Sequence, residues 1–400
     1  MKKTSFEKRI KRRITGRKHN FFAICSPGLK KLCLREIKKL PLQLEKIAMT
    51  DGGVEFAGYV HDCYYANLFL RSPSRILMRI AEFKAENFRT LEKKLNEIDW
   101  ELFLKKENKI ECQVTTRHSR LYHKSAIAEI AEKVIAGYFE KYSAADFHGE
   151  TNNFKAEKSS EKIFIRAKEN RFVVSIDSSG DLLYKRGKKI CVGKAPIREN
   201  LAFALLDAAG YSGKEPLVDP MCGAGTFSLE AAMIKRNIPP GFFRNFAFQD
   251  WPCFRRARWE YLKKEAGLSI LPEPSAPDIF ASDIDQGIID NLKKNVSAYN
   301  FSSVIKIDKR NFFDIVPGRI TKEKGIVVLN PPYGKRIGKK KKTRSFFLKT
   351  GAKLKKDFKG WSVGIVLPGK EFASVLPFPV SLKPFSHGGL KLFAATGKII

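Results

Sequence analysis

The stretch LVDPMCGAGTFSLEAA, residues 217–232, reads as a short apolar strand that ends in an acid, then a glycine-bearing loop, then the start of a helix. Gly223 and Gly225 let the backbone approach a ligand closely, and a helix start presents N–H groups with no partner inside the helix. A dinucleotide-binding fold uses the same device, but it needs GxGxxG and an acid about twenty residues further on. Here the spacing is GxGxxS, and the next acid at a strand end, Asp283, lies 58 residues beyond Gly225. No Lys-Ser or Lys-Thr follows the glycines, so a phosphate-cradling loop is excluded as well.

Outward from this stretch, short apolar strands alternate with helices. APIRENLAFALLDAAG and TFSLEAAMIKRN read as helices, while DIFASD, VIKID, GIVVLN and SVGIVLPG read as strands. Continuous apolar strands separated by helices predict a doubly wound, mostly parallel sheet, on which ligands bind at the carboxyl ends of the strands. Four polar residues fall at such ends or in the turns after them: Asp219, Asp283, Asn311 and Asn330. Asp219 before the glycine loop argues for a cationic ligand over a pyrophosphate. S-adenosylmethionine fits, since its ammonium and sulfonium are cationic and its ribose diol suits a carboxylate such as Asp283.

The segment GIVVLNPPYGKRIG, residues 325–338, ends its strand with an asparagine and two prolines. Proline cannot continue the ladder, and Pro332 also restricts Pro331, so the backbone after Asn330 has few conformations. An asparagine held in this way, beside backbone carbonyls and the ring of Tyr333, could bind a flat ring that carries an amino group. Alone, the tetrapeptide is equally well read as a strand closed by a proline turn.

The chain has 400 residues and 43% hydrophobic content, enough for two or three domains with their own cores. No run of eighteen apolar residues predicts a membrane span, and the N-terminus has charges without a following hydrophobic region, so a cytoplasmic protein is expected. The seven cysteines are scattered and never form CxxC, and none of the six histidines stands at ligand spacing from them; reduced thiols and no metal are expected. Lys and Arg total 75 against 42 Asp and Glu, a net charge of +33. The surplus concentrates in residues 1–18 and in KRIGKKKKTR, residues 335–344, which favours a nucleic-acid partner. Residues 1–20 read as a basic flexible arm. From Phe21 a small α/β unit follows, then a second α+β module with strands at KIECQVTTRHS and KIFIRAKENRFVVSID and a helix at SAIAEIAEKVIAGYFEKY.

Together these residues resemble the class I S-adenosylmethionine-dependent methyltransferases with an N-terminal THUMP domain, and among them the bacterial 23S rRNA guanine-N2 methyltransferases. The segments that carry the resemblance are SIDSSGDLLYKRG (175–187), APIRENLAFALL (195–206), DPMCGAGTFSLEAAMIKRNIPPGFFRNFAFQDWPCF (219–254) and NPPYGKRIG. The resemblance, which starts near Phe21, implies a ferredoxin-like unit at 21–65, a THUMP RNA-binding domain at 66–168 and a Rossmann-like methyltransferase domain at 169–400. It implies that Asp219, Pro220, Gly223, Ala224, Gly225 and Thr226 line the cofactor and that Asp283 binds the ribose hydroxyls. Asn330, Pro331, Pro332 and Tyr333 would form the catalytic tetrapeptide. Two positions depart from the family. Asn311 stands where an adenine-contacting Asp is usual, with Asp308 the competing assignment, and SHGGLKLF replaces the usual yNG pattern near the C-terminus.

In this reading the side-chain oxygen of Asn330 and the carbonyl of Pro331 accept both N–H bonds of an exocyclic amine, and Tyr333 stacks on a base flipped out of its helix. Arg117, Arg120 and Lys124, with His118 beside them, would contact phosphates from THUMP, and Lys335 and Arg336 would do so near the catalytic end; a solvated turn is the alternative for the first group. Asp285 suits a helix cap, Cys222 a packing residue, and Phe246, Phe248 and Trp251 a wall over the target base. The substrate expected is a guanine of 23S rRNA, free or in a pre-ribosomal particle. The alternatives are tRNA guanine, adenine N6 in a nucleic acid, or a non-catalytic RNA-binding assembly factor.

Overall fold

The computed structural model describes residues 5–143, 160–191, 196–332 and 340–400. Its strands form two seven-stranded sheets. The first runs, in spatial order, β2 (Glu45–Thr50), β3 (Gly53–Gly58), β1 (His19–Ile24), β4 (Arg75–Lys84), β7 (Arg171–Asp177), β6 (Ser160–Lys168) and β5 (Lys109–Arg117). Its neighbours are antiparallel except β5 and β6. Helices α2 (Lys30–Lys39), α3 (Val60–Phe69), α4 (Phe88–Asn96) and α5 (Lys124–Ser143) connect its strands.

The second sheet runs β10 (Ile305–Lys309), β9 (Ile279–Asp283), β8 (Leu217–Asp219), β11 (Ile326–Leu329), β12 (Ser362–Leu367), β14 (Leu390–Lys398) and β13 (Ser381–His387). The first five strands are parallel and the last two pairings antiparallel. All four residues of β11 are buried, which explains its unbroken IVVL: a central parallel strand covered by helices on both faces shows no polar alternation. The chain winds outward from β8 through β9 to β10 and then returns to the other side of β8 with β11. This reversal is a topological switch point, and it leaves a crevice outside the carboxyl ends of β8 and β11. The sheet is the doubly wound, mostly parallel α/β arrangement expected from the alternating strands.

Three features differ from the sequence expectations. Residues 5–15 are not a free arm. They form α1 (Phe6–Ile10) and one π-helical turn, with Ile10 and Ile14 buried. Arg9 pairs with Glu101 and Arg13 with Asp99, so part of the basic run spends its charge on the protein's own acids. The strands of 21–65 and those of 66–168 share one sheet, joined where Phe21 faces Met78 and Ile24 faces Arg75. An uncovered β1 edge would leave a row of unpaired backbone groups, and β4 covers it. Residues 171–177, which the resemblance assigned to the methyltransferase domain, contribute β7 to the first sheet, where the strand reading of KIFIRAKENRFVVSID put them.

The segments that carried the family resemblance knit the halves together. Asp177 pairs with Arg75, and Ser178 and Ser179 hydrogen-bond to Asn67 of α3 at 2.9 and 2.7 Å. The Arg244 guanidinium donates to the carbonyls of Ser179, Asp181, Leu182 and Lys185, so RNIPPGFFRN clasps SSGDLLYKRG. Burial, with help from the nearby Arg186 and Arg75 and against the pull of Asp181, pushes its pKa down to about 10. Arg186 makes two bonds to Glu230, on helix α7 (Thr226–Lys235), at 2.7 and 3.2 Å, and Arg71 approaches the same carboxylate at 3.5 Å. Phe248 and Trp251 are core and not a wall over a base. Phe248 is fully buried and stacks on Tyr64 at 4.4 Å, and Trp251 is 2% exposed.

Candidate active site

Three loops meet at the carboxyl ends of β8, β9 and β11. Glycine conformation builds the first. Gly225 sits at φ +79° before α7, and a Cβ there would overlap the Leu292 side chain of helix α9 (Gln286–Tyr299). Gly223 is also left-handed, at φ +53°, with open space where a Cβ would stand. Its N–H donates to Asp283 Oδ2 at 3.2 Å, while Asp283 Oδ1 accepts from the N–H of Asp285 at 3.2 Å. One carboxylate therefore positions both the glycine loop and its own turn. Asp285 caps α9, accepting from Ile288 N at 3.1 Å, the local role its type suggests.

These loops enclose a cavity of about 830 Å³. Its wall holds Pro220, Gly223, Ala224 and Thr226 from the first loop, Asp283 from β9, Asn311 after β10, and Asn330 and Pro332 after β11. Asn330 Oδ1 is buried and has no hydrogen-bond partner among the described residues. An amide oxygen of this kind costs free energy unless something donates to it. Asn311 is exposed and caps the next turn, its Oδ1 accepting from Phe313 N at 3.0 Å. Asp308 is not on this wall; it faces Arg310 at 3.7 Å and borders a separate small cavity.

Asp219 and Gly225 lie behind the wall. Asp219 is fully buried, accepts from the Ser228 hydroxyl at 2.7 Å through Oδ2, and leaves Oδ1 without a partner among the described residues. Burial, with a smaller contribution from Asp283, raises its pKa to about 7. Asp219 thus sits off the cavity wall, bonded to the first turn of α7 beneath the loop. Cys222 lies on the wall and is 7% exposed; burial holds its thiol far above the usual range, so it is not a nucleophile. Tyr333, Lys335 and Arg336 lie outside the described residues.

Sequence reading missed several neighbours. Pro196, Ile197, Ile284, Phe313 and Phe346 also line the wall. Lys189 Nζ donates to Thr226 Oγ1 at 2.9 Å and to Glu199 at 3.1 Å, fastening the loop from outside. A basic residue just after the quoted YKRG was the signal available for it. The candidate phosphate contacts Arg117, Arg120 and Lys124 are all exposed at the end of β5 and the start of α5, far in sequence from the cavity. Arg120 pairs with Glu86 at 2.6 Å and Arg117 stands 4.0 Å from Asp51, pairs that are weak in water and can exchange for phosphate.

Residues 186–378 match the family model described as RMKL-like, methyltransferase domain, and residues 20–77 match the RlmL ferredoxin-like domain. The chain is 31% identical to a putative RNA methyltransferase of Synechocystis sp. over 373 residues, 92% of this chain and 94% of that protein. It is 30% identical to the ribosomal RNA large subunit methyltransferase K/L of Methylococcus capsulatus over 366 residues, but spans only 47% of that relative's length. The crystal structure of SMU.472, a putative methyltransferase complexed with SAH, superposes with a TM-score of 0.83 at 28% identity, covering 95% of this chain and 98% of that one. With the switch-point crevice and glycine loop described above, these similarities show that the chain belongs to the RMKL-like, THUMP-containing class I methyltransferase family.

Proposed function

We propose that this protein transfers a methyl group to the exocyclic N2 amine of a guanine in RNA, with 23S rRNA as the substrate. The observation that carries the reading is Asn330 Oδ1: a buried acceptor without a partner among the described residues, on the same cavity wall as Asp283 and the glycine loop. The coarser statement, that the protein is an S-adenosylmethionine-dependent RNA methyltransferase, follows from its family. We extend the K/L relatives' large-subunit rRNA to this chain as the substrate.

The residues fit the methyl donor. Asp283 suits a ribose diol, Ile284 and Phe313 offer apolar surface to a ring, and free N–H groups at the start of α7 suit a carboxylate. When bound, S-adenosylmethionine supplies an electrophilic methyl group. The protein's share is to orient the nucleophile. Asn330 Oδ1 and the Pro331 carbonyl accept the two N–H bonds of the amine, which turns the nitrogen lone pair away from the ring and toward the donor. The prolines hold these acceptors in place, so little is lost to reorganisation during the reaction. Tyr333 stacks on the flipped base, and the amine's proton leaves to solvent after transfer, so no tuned general base is required.

We assign RNA capture to a THUMP unit in the 66–168 region, with Arg117, Arg120 and Lys124 on phosphates, aided by Lys335 and Arg336, and place the reaction in the cytoplasm. Among the described residues no helix is long and apolar enough to cross a membrane. The test is mass-spectrometric mapping of rRNA and tRNA nucleosides in a deletion strain. Loss of one N2-methylguanosine from 23S rRNA is expected. Loss confined to tRNA, or to N6-methyladenosine, overturns the substrate assignment.

A further inference from the structure

A second cavity, of about 880 Å³, lies between the two sheets and is not needed by the chemistry above. Its size is that of a site for a nucleotide-sized ligand. One wall comes from the start of β6 in the first sheet, with Ser160 and Glu161. The opposite wall comes from the 180–189 and 243–250 segments and from His387 of β13. It meets the candidate active site across Pro196 and Ile197, which border both.

The floor is prefixed. Arg186 is spent on Glu230 and Arg244 on four backbone carbonyls, so neither is free to swing out. What remains available points to a ligand. Glu161 is 2% exposed and lines the cavity, yet its Oε2 has no partner among the described residues; its Oε1 is only distantly approached by Asn108, at 3.4 Å. A buried carboxyl oxygen in this state is costly unless a donor arrives. Burial, and then Asp250 nearby, hold its pKa up at about 8 against a smaller opposing pull from Lys105. Tyr184 and Phe243 border the same space; the Arg198 guanidinium stands over Tyr184 at 5.2 Å and Lys188 over Phe243 at 4.4 Å, beside the exposed Lys185, which pairs with Asp181 at 3.0 Å. Aromatic faces, a cationic rim and one hungry acceptor are the parts that bind an unpaired nucleotide.

We propose that this cavity is a second nucleotide subsite, which takes an unpaired nucleotide of the RNA strand next to the methylated one, its base offering an exocyclic amine to Glu161. The inference rests on the RNA reading of the active site. The shared Pro196–Ile197 wall lets one strand place successive nucleotides in the two cavities, so the pair of sites selects a flipped, single-stranded segment over a duplex.

The test uses the full chain and two probes that differ only at this edge, cytidine 5′-monophosphate with an amine and uridine 5′-monophosphate with a carbonyl, followed by ligand-observed NMR titration. Wild-type protein is expected to prefer the cytidine nucleotide. Titrations run from about pH 6.5 to 8.5: a carboxyl with a pKa of about 8 accepts without donating only as it ionises, so the wild-type preference should grow across this range. Glu161→Gln, whose amide donates as well as accepts at every pH, is expected to erase both the preference and its growth. Thermal melting of the variant close to wild type excludes misfolding as the cause. Asn330→Ala is expected to leave the preference intact while lowering methyl transfer by about 10²–10³, so failure of the subsite and failure of the catalytic reading are separable. Absence of a preference in the wild type, an unchanged preference in Glu161→Gln, or its loss in Asn330→Ala would each overturn the subsite.

Discussion

The backbone N–H of Gly223 donates to Asp283 Oδ2 at 3.2 Å, which ties the loop after β8 to the end of β9. Two strand ends that are far apart in the chain thereby become one surface. Removing the carboxylate should cost cofactor affinity twice, once by loosening the loop and once by deleting the acceptor for the ribose diol. Asp283→Ala is expected to weaken S-adenosylhomocysteine binding by tenfold or more, in line with about 1.5–3 kcal/mol for hydrogen bonds to a charged group. Calorimetric titration reads it directly, and an unchanged dissociation constant would remove Asp283 from the site.

The part proposed for Asn330 is different: its buried Oδ1, without a partner among the described residues, would accept from the substrate. Asn330→Ala should lower methyl transfer by about 10²–10³, the usual effect of deleting one fixed polar group that acts in the transition state. S-adenosylhomocysteine affinity should stay near wild type. Turnover like that of the wild type in this variant would end the proposed role.

Gly225 is constrained on two counts, its left-handed backbone and the Leu292 side chain against its missing Cβ. Gly225→Ala is expected to destabilise the protein by about 1–3 kcal/mol or more, from strain at a sparsely populated backbone conformation plus the clash. Melting temperature and cofactor affinity should fall together. Gly223→Ala meets no neighbour and should cost less, so the ranking of the two variants is itself a check.

Asp219 makes stability pH-dependent. Its carboxyl has a pKa of about 7 in the folded protein, raised by burial from an ordinary value of 3.8. The folded state therefore favours the protonated form. The stability this confers is complete below the unfolded value and is lost as pH rises through about 7. Asp219→Asn keeps an acceptor for Ser228 and cannot ionise. The unfolding free energy of the variant relative to wild type, followed by thermal melting, should climb between about pH 4 and pH 8, by about a few kcal/mol at most. A difference that stays flat over this range would show that Asp219 does not titrate in it.

The sequence by itself determined the catalytic fold and the order of its strand ends. Apolar runs such as IVVL could be buried strands only in a sheet covered on both faces, and the glycine loop, Asp283 and NPP are local signals written in adjacent residues. The candidate wall was legible for the same reason: Pro220, Gly223, Ala224, Thr226, Asp283, Asn311, Asn330 and Pro332 all sit where strands stop, and strand ends converge in any parallel sheet.

Only the tertiary structure decided what depends on contacts between distant segments. It buried Asp219 under the loop, because Ser228, nine residues on, turns back to it. It folded the basic N-terminus onto Glu101 and Asp99, and it joined β1 to β4 so that two expected units share a sheet. It placed Phe248 against Tyr64 in the core, and it brought Glu161 to the edge of a cavity whose far wall draws on segments as distant in the chain as Phe243 and His387. Charge, aromaticity and glycine spacing carry no record of these pairings, since each depends on which surfaces the two sheets bury against one another.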